Sequence, residues 1–192
     1  NVTPSELIPW ILGQCASVKE ARELLEELNL LDEAFAEKMP LSPLHWMIAD
    51  KEECIIMECI QDGIHIYENP YGVLTNNPPF PYYQMHLNNY LNLSSENPKN
   101  GFAPEIPLNT YGQGMGAIGL PGDYSPASRF VKAAYLKWNS RSSEEENANV
   151  SQFFHILDGV SMVRGSVITP EGREDITTYS CCINADPVSY TH

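Results

Sequence analysis

Long apolar runs are missing from this chain. The longest span only a few residues, as in Cys54–Ile55–Ile56–Met57, and nothing approaches the roughly 20 residues that a membrane helix needs. Positive charge is scarce: 11 Lys and Arg stand against 25 Asp and Glu, for a formal net charge of −14. A nucleic-acid partner requires a clustered cationic surface, so that class is excluded. There is no CxxC, HExxH or mixed Cys/His cluster, so no metal site is expected. The glycines at 112, 114, 116 and 119 carry neither a P-loop Lys–Ser/Thr pair nor dinucleotide spacing, so no cofactor is expected either. The five cysteines are odd in number and irregularly spaced. That pattern argues against a disulfide framework and for a reducing, cytoplasmic compartment. No internal repeat is present.

What remains is an ordinary globular composition, 43% hydrophobic and 19% charged over 192 residues, enough for one sizeable core. Ser5–Glu6–Leu7–Ile8 opens a first helix, Trp10–Ile11–Leu12 continue it and Gly13 closes it. Ser17 and Glu20 form a capping-box pattern, and Val18, Ala21, Leu24, Leu25 and Leu28 recur at helical spacing after it. His45–Asp50, Glu53–Ile60 and Ile64–Tyr67 read as strands, the last two joined by an Asp62–Gly63 hairpin dipeptide. Gly72–Thr75 reads as a fourth. A helix is expected from Pro81 to Leu91, then a long loop from Asn92 to Gly122. Ser125–Pro126 starts a helix through Trp138, Ser142 or Ser143 caps another through Leu157, and Asp175–Ile183 reads as a final strand. Trp138, Phe153, Phe154, Cys54 and Cys59 are expected inside. The pattern is α+β.

Two polar positions stand out. Arg129 lies in the first turn of a helix, where a cation opposes the helix dipole, on the same face as Ala133 and Leu136. It is either a functional cation or the partner of Asp123 or another carboxylate. Asn76, with Asn77, precedes Pro78. It is either an Asx-type turn or a fixed amide able to donate to a developing oxyanion. The glycine-rich loop reads as backbone that must approach something closely. His45, His65, His86 and His155 pair with no nucleophile motif and read as structural histidines, with His192 at the end of the chain.

Several blocks carry a resemblance. They are Glu6-Leu-Ile-Pro-Trp-Ile-Leu-Gly-Gln14, Leu41-Ser-Pro-Leu-His-Trp46, Gly72-Val-Leu-Thr-Asn-Asn-Pro78, Gly116-Ala-Ile-Gly-Leu-Pro-Gly-Asp-Tyr-Ser-Pro-Ala-Ser-Arg-Phe130, Ser151-Gln-Phe-Phe-His-Ile-Leu157 and Tyr179-Ser-Cys-Cys182. In this order they resemble the choloylglycine hydrolase family, which includes conjugated bile salt hydrolases and penicillin V acylases. The resemblance implies the αββα sandwich of N-terminal-nucleophile hydrolases. It implies hydrolysis of a linear amide by an N-terminal cysteine whose own α-amine is the base, a pairing that suits an amine titrating near neutrality. By resemblance Asn76 matches the oxyanion-hole asparagine, and Arg129 the active-site arginine that favours the thiolate. Phe35, Met39 and Leu41 look like the loop bordering the steroid, with core packing as the alternative reading.

The family's N-terminal cysteine has no counterpart here. The expectation is therefore that residues 1–192 are the central and later part of one such domain, incomplete at both ends. By itself this segment is expected to be inactive and to expose strand edges. Leu87-Asn-Asn-Tyr-Leu-Asn-Leu93 and the Gln-Phe-Phe-His block resemble the bile salt branch. The implied reaction is cleavage of glycine or taurine conjugates of bile acids by the full-length parent. The alternatives are a penicillin V or N-acyl homoserine lactone acylase, and a non-catalytic fragment or pseudoenzyme. The implied partner is a small amide substrate, with no membrane and no nucleic acid, in a homotetramer.

Overall fold

The computed structural model describes residues 1–36, 44–184 and 189–191. The chain divides into two compact units, Asn1–Phe80 and Pro81–His192.

Unit 1 is a three-stranded antiparallel sheet with helices on one face. The order is β1 (His45–Ala49), β2 (Cys54–Ile60), β3 (Gly63–Glu68), with β2 central. Side chains alternate across a strand, so β2 sorts its residues onto two faces. Ile55 and Met57 join α1 (Leu7–Leu12) and α2 (Val18–Glu26) through Leu7, Ile11, Val18, Ala21 and Leu25, with Trp46 from β1. Ile56 and Glu58 take the opposite face. All four of these β2 residues are buried, and each apolar one contributes about 1.5–3 kcal/mol by leaving water.

The α2 start forms as its sequence dictates: the Ser17 side chain accepts from the Glu20 N–H. The Glu20 carboxylate reaches Ala16 N at 2.6 Å rather than the cap residue itself. Asp50, in the β1–β2 turn, accepts from Val18 N at 2.8 Å and from the amides of Glu52 and Glu53. The turn thereby caps the helix as well as itself, and these amides, Val18 first, hold the Asp50 carboxyl below its usual range.

The expected fourth strand, 72–75, is irregular instead. Its backbone groups go to a side chain. The Asn69 Oδ1 accepts from Gly72 N at 3.0 Å, and its Nδ2 donates to the Val73 carbonyl at 3.1 Å. Gly72 sits at φ 60°, a left-handed conformation that ends any extended run.

Unit 2 is helical. α3 (Phe80–Leu87) opens on the last residue of unit 1 and runs into a 3-10 turn at Asn88–Tyr90. α4 (Pro126–Asn139) packs on α5 (Glu146–Asp158), and Tyr83 stacks on Phe130 at 4.6 Å between ring centres. A short antiparallel pair, β4 (Cys182–Asn184) with β5 (Ser189–Thr191), follows. The expected strand from Asp175 thus begins only at Cys182. Upstream, the chain is committed to other partners: Asp175 N reaches Val167 O and Thr177 N reaches Met162 O. α5 starts later than expected because Ser143, whose hydroxyl accepts from Glu145 N at 3.1 Å, is tied into a closed turn before the helix. It exchanges both backbone groups with the Asn149 amide at 2.7 and 2.8 Å, and Glu145 takes the cap position without a side-chain bond. Trp138 and Phe153 are exposed and Phe154 is half-buried, not core. Trp138 sits in the last turn of α4, with the Lys137 ammonium 5.8 Å from its ring centre. Cys59 is likewise exposed and Cys54 half-buried. Among the described residues no helix is long and apolar enough to cross a membrane.

Candidate active site

Asn76 lies in an exposed bend of unit 1, between Gly72 and the start of α3. The segment is pinned at both ends. At its start stands Asn69, 2% exposed, with the two bonds described above. At its end the Phe80 N–H donates to Glu58 Oε2 at 2.9 Å. Glu58 is 1% exposed, and its other oxygen lies 2.7 Å from His45 Nδ1. Phe80 itself is buried and faces Tyr67 and Tyr71, with ring centres 6.0 and 6.2 Å away. His45 is therefore a structural histidine, as its sequence context indicates. His65, next to Asp62 at 2.8 Å, is another. His155 is exposed on α5.

Arg129 lies in unit 2, half-buried in the first turn of α4. Its Nε donates to the Tyr124 carbonyl at 3.1 Å, so the turn before the helix orients the guanidinium. That turn is built by Asp123. Its carboxylate accepts from Ser125 N at 2.9 Å and from the Ser128 hydroxyl at 2.5 Å. Bonds from Ser125 first, then from Ser128, hold its carboxyl down at about 2. The ion pair that was one reading of Arg129 is not formed with Asp123, whose oxygens serve the two serines.

The glycine-rich loop does approach other backbone closely. A Cβ on Gly116 would lie 1.9 Å from the Glu96 carbonyl oxygen and 2.5 Å from that of Ser94, and Ser94 N donates to Gly116 O at 3.0 Å. Asn97 closes the same loop, donating to Gly112 O at 2.9 Å and accepting from Met115 N at 3.1 Å.

Phe35 is 74% exposed in an irregular stretch of unit 1, so it is not core. Met39 and Leu41 lie outside the described residues. Unit 1 also holds a cleft of about 500 Å³ with apolar walls from Leu28, Leu30, Leu44, Trp46 and Ile64. Among the described residues no group of three or more His, Cys, Asp or Glu is placed to hold a metal ion.

Glu58 and Asn69 escaped the sequence reading. For Glu58 a signal exists: it is the one acid inside the run Cys54–Ile60. A charge within a strand buried on both faces needs dedicated partners.

Short helices around an antiparallel sheet in unit 1, and packed helices in unit 2, make the chain α+β. Solved structures agree on that class. A mutant of the conjugated bile acid hydrolase from Clostridium perfringens superposes with a TM-score of 0.82 at 37% identity, covering 95% of this chain and 56% of that one. A penicillin V acylase from Agrobacterium tumefaciens, at TM-score 0.65 and 21% identity over 88% of this chain and 45% of that one, shares the fold. The fold is α+β, of the N-terminal-nucleophile hydrolase type.

The chain belongs to the choloylglycine hydrolase family: the sequence profile described as linear amide C-N hydrolases, choloylglycine hydrolase family, matches residues 1–192. It is 50% identical over 190 residues to a bile salt hydrolase/transferase of Lactiplantibacillus plantarum, covering 99% of this chain and 59% of the relative. It is 38% identical over 194 residues to a conjugated bile acid hydrolase of Lactobacillus acidophilus, covering 99% and 60% respectively. The chain thus spans about three-fifths of the length of the relatives it matches.

Proposed function

We propose that the full-length protein carrying this segment hydrolyses the amide C–N bond of glycine- or taurine-conjugated bile salts. Residues 1–192 would be the central and later part of its single catalytic domain. The observation that carries the reading is the 50% identity to a bile salt hydrolase/transferase along 99% of the chain.

In this reading a cysteine thiolate supplied by the rest of the protein attacks the amide carbonyl. The carbonyl oxygen gains negative charge, and the Asn76 side-chain N–H donates to it. A donor fixed before the reaction stabilises that charge without reorganising. The Arg129 guanidinium favours the thiolate over the thiol. The cysteine's own α-amine, having taken the thiol proton, passes it to the leaving amine, and water then cleaves the thioester, releasing the acid and restoring the thiol. Phe35, Met39 and Leu41 border the steroid. The net charge of −14 repels an anionic conjugate at long range, so binding rests on apolar burial and local polar groups. The protein works in the cytoplasm as a homotetramer, without metal or cofactor and without a nucleic-acid or membrane partner.

The test is a hydrolysis panel on the full-length protein. Turnover of glycine and taurine conjugates above phenoxyacetyl amides and N-acyl homoserine lactones is expected. The reverse preference would move the assignment to the penicillin or lactone acylases.

A further inference from the structure

We propose that Glu58 and Asn69 are positioning residues for Asn76: two buried polar side chains that hold the ends of its segment at a fixed place against the sheet. The proposal rests on Asn76 being the oxyanion donor.

The 72–80 segment has no ladder of its own, so its backbone must find partners elsewhere. It finds them in two side chains from the adjoining sheet. Asn69 directly follows β3, and its own N–H donates to the Cys54 carbonyl at 2.8 Å. It grips Gly72 and Val73 with both ends of its amide. Glu58 projects from the middle strand and grips Phe80. Its remaining oxygen is engaged by His45, a neighbour in register on β1. Neither pin is exposed to water, so neither bond is diluted by solvent competition. Only residues 74–79 lie between the pins, and Pro78 and Pro79 remove two of their backbone rotations.

Such an arrangement matters for chemistry because oxyanion stabilisation is steeply geometric. A donor works when it is about 2.7–3.1 Å from the developing charge, and a misplacement of about 1 Å costs on the order of 10²-fold. A residue that merely supports the fold would act on stability and on every activity alike. A residue that acts through Asn76 has an effect that disappears once Asn76 is gone.

The experiment is a double-mutant cycle in the full-length protein, with kcat and KM measured on a glycine-conjugated bile salt. Glu58→Leu and Asn69→Asp are each made with Asn76 present and with Asn76→Ala. Asn69→Asp is isosteric but cannot donate to the Val73 carbonyl. The expected result is a fall in kcat of roughly 10-fold or more, with KM changed less than about twofold, and no further fall in the Asn76→Ala background. Glu58→Gln is expected to recover most of the loss. A glutamine oxygen still accepts from Phe80 N–H, and its amide donates to the other His45 tautomer. Equal falls in both backgrounds, or no recovery with glutamine, would overturn the proposal. Where Glu58→Leu fails to fold, Asn69→Asp decides. If Asn76→Ala alone keeps full turnover, the oxyanion reading itself fails, and that result is separate from the cycle.

Discussion

The two residues assigned to chemistry are held in opposite ways. The Asn76 segment of unit 1 is pinned by buried polar groups, Glu58 and Asn69, on the back of a close-packed sheet. The Arg129 turn of unit 2 is set by Asp123, an exposed carboxylate bonded to two serines, and by a backbone carbonyl. The difference teaches where each site is vulnerable. Buried pins fail through packing and leave unpaired groups in a dry interior. A surface turn yields to pH and weakens gradually.

The largest expected effect breaks unit 2 where it depends on backbone contact. Gly116→Ala would drive a methyl into the Glu96 and Ser94 carbonyls. It should destabilise by about 4 kcal/mol or more, read as a collapse of the denaturant midpoint. An unchanged midpoint would show that the loop can shift. In unit 1, Ile55→Ala opens a hole in the fully buried centre of β2. It should cost about 2–5 kcal/mol in the same measurement. A smaller effect is chemical. Under the proposed mechanism Arg129→Ala should raise the thiol pKa by about one unit or more and move the acid limb of the pH–rate profile upward. An unmoved limb would remove Arg129 from thiolate stabilisation.

The smallest effect separates the two anchoring styles most cleanly. Asp123 titrates at about 2 when folded, against an ordinary value of 3.8. A depressed carboxyl contributes stability above its unfolded value and loses it as pH falls through the folded one. Between about pH 4 and 2 the unfolding midpoint should therefore fall less steeply in Asp123→Asn than in the natural chain. Solvent screening keeps this difference modest. Identical slopes would mean that Asp123 does not set the turn.

Periodicity and turn chemistry carried much of unit 1 in advance. The Ser17 cap, the helical spacing from Val18 and the hairpin at Asp62–Gly63 are local signals, and they formed where expected, although α2 stops at Glu26, short of Leu28. Side chains that bond nearby backbone outside any regular pattern erased the rest. Asn69 converts a plausible strand at 72–75 into a fixed irregular segment, and Asn149 delays α5 past Ser143. No periodicity records such bonds. Arg129 stands out in the sequence by its conflict with the helix dipole, and both it and Asn76 by family resemblance. Asn69 and Tyr124 act on near neighbours in the chain but in no regular pattern, while Glu58 reaches Phe80 by tertiary contact.

The most direct measurement of the central claim is turnover of a conjugated bile salt by the full-length protein with Asn76→Ala. Loss of one oxyanion donor predicts a fall in kcat of roughly 10²–10³-fold, with folding intact by unfolding midpoint. A folded variant with unchanged kcat would contradict the account.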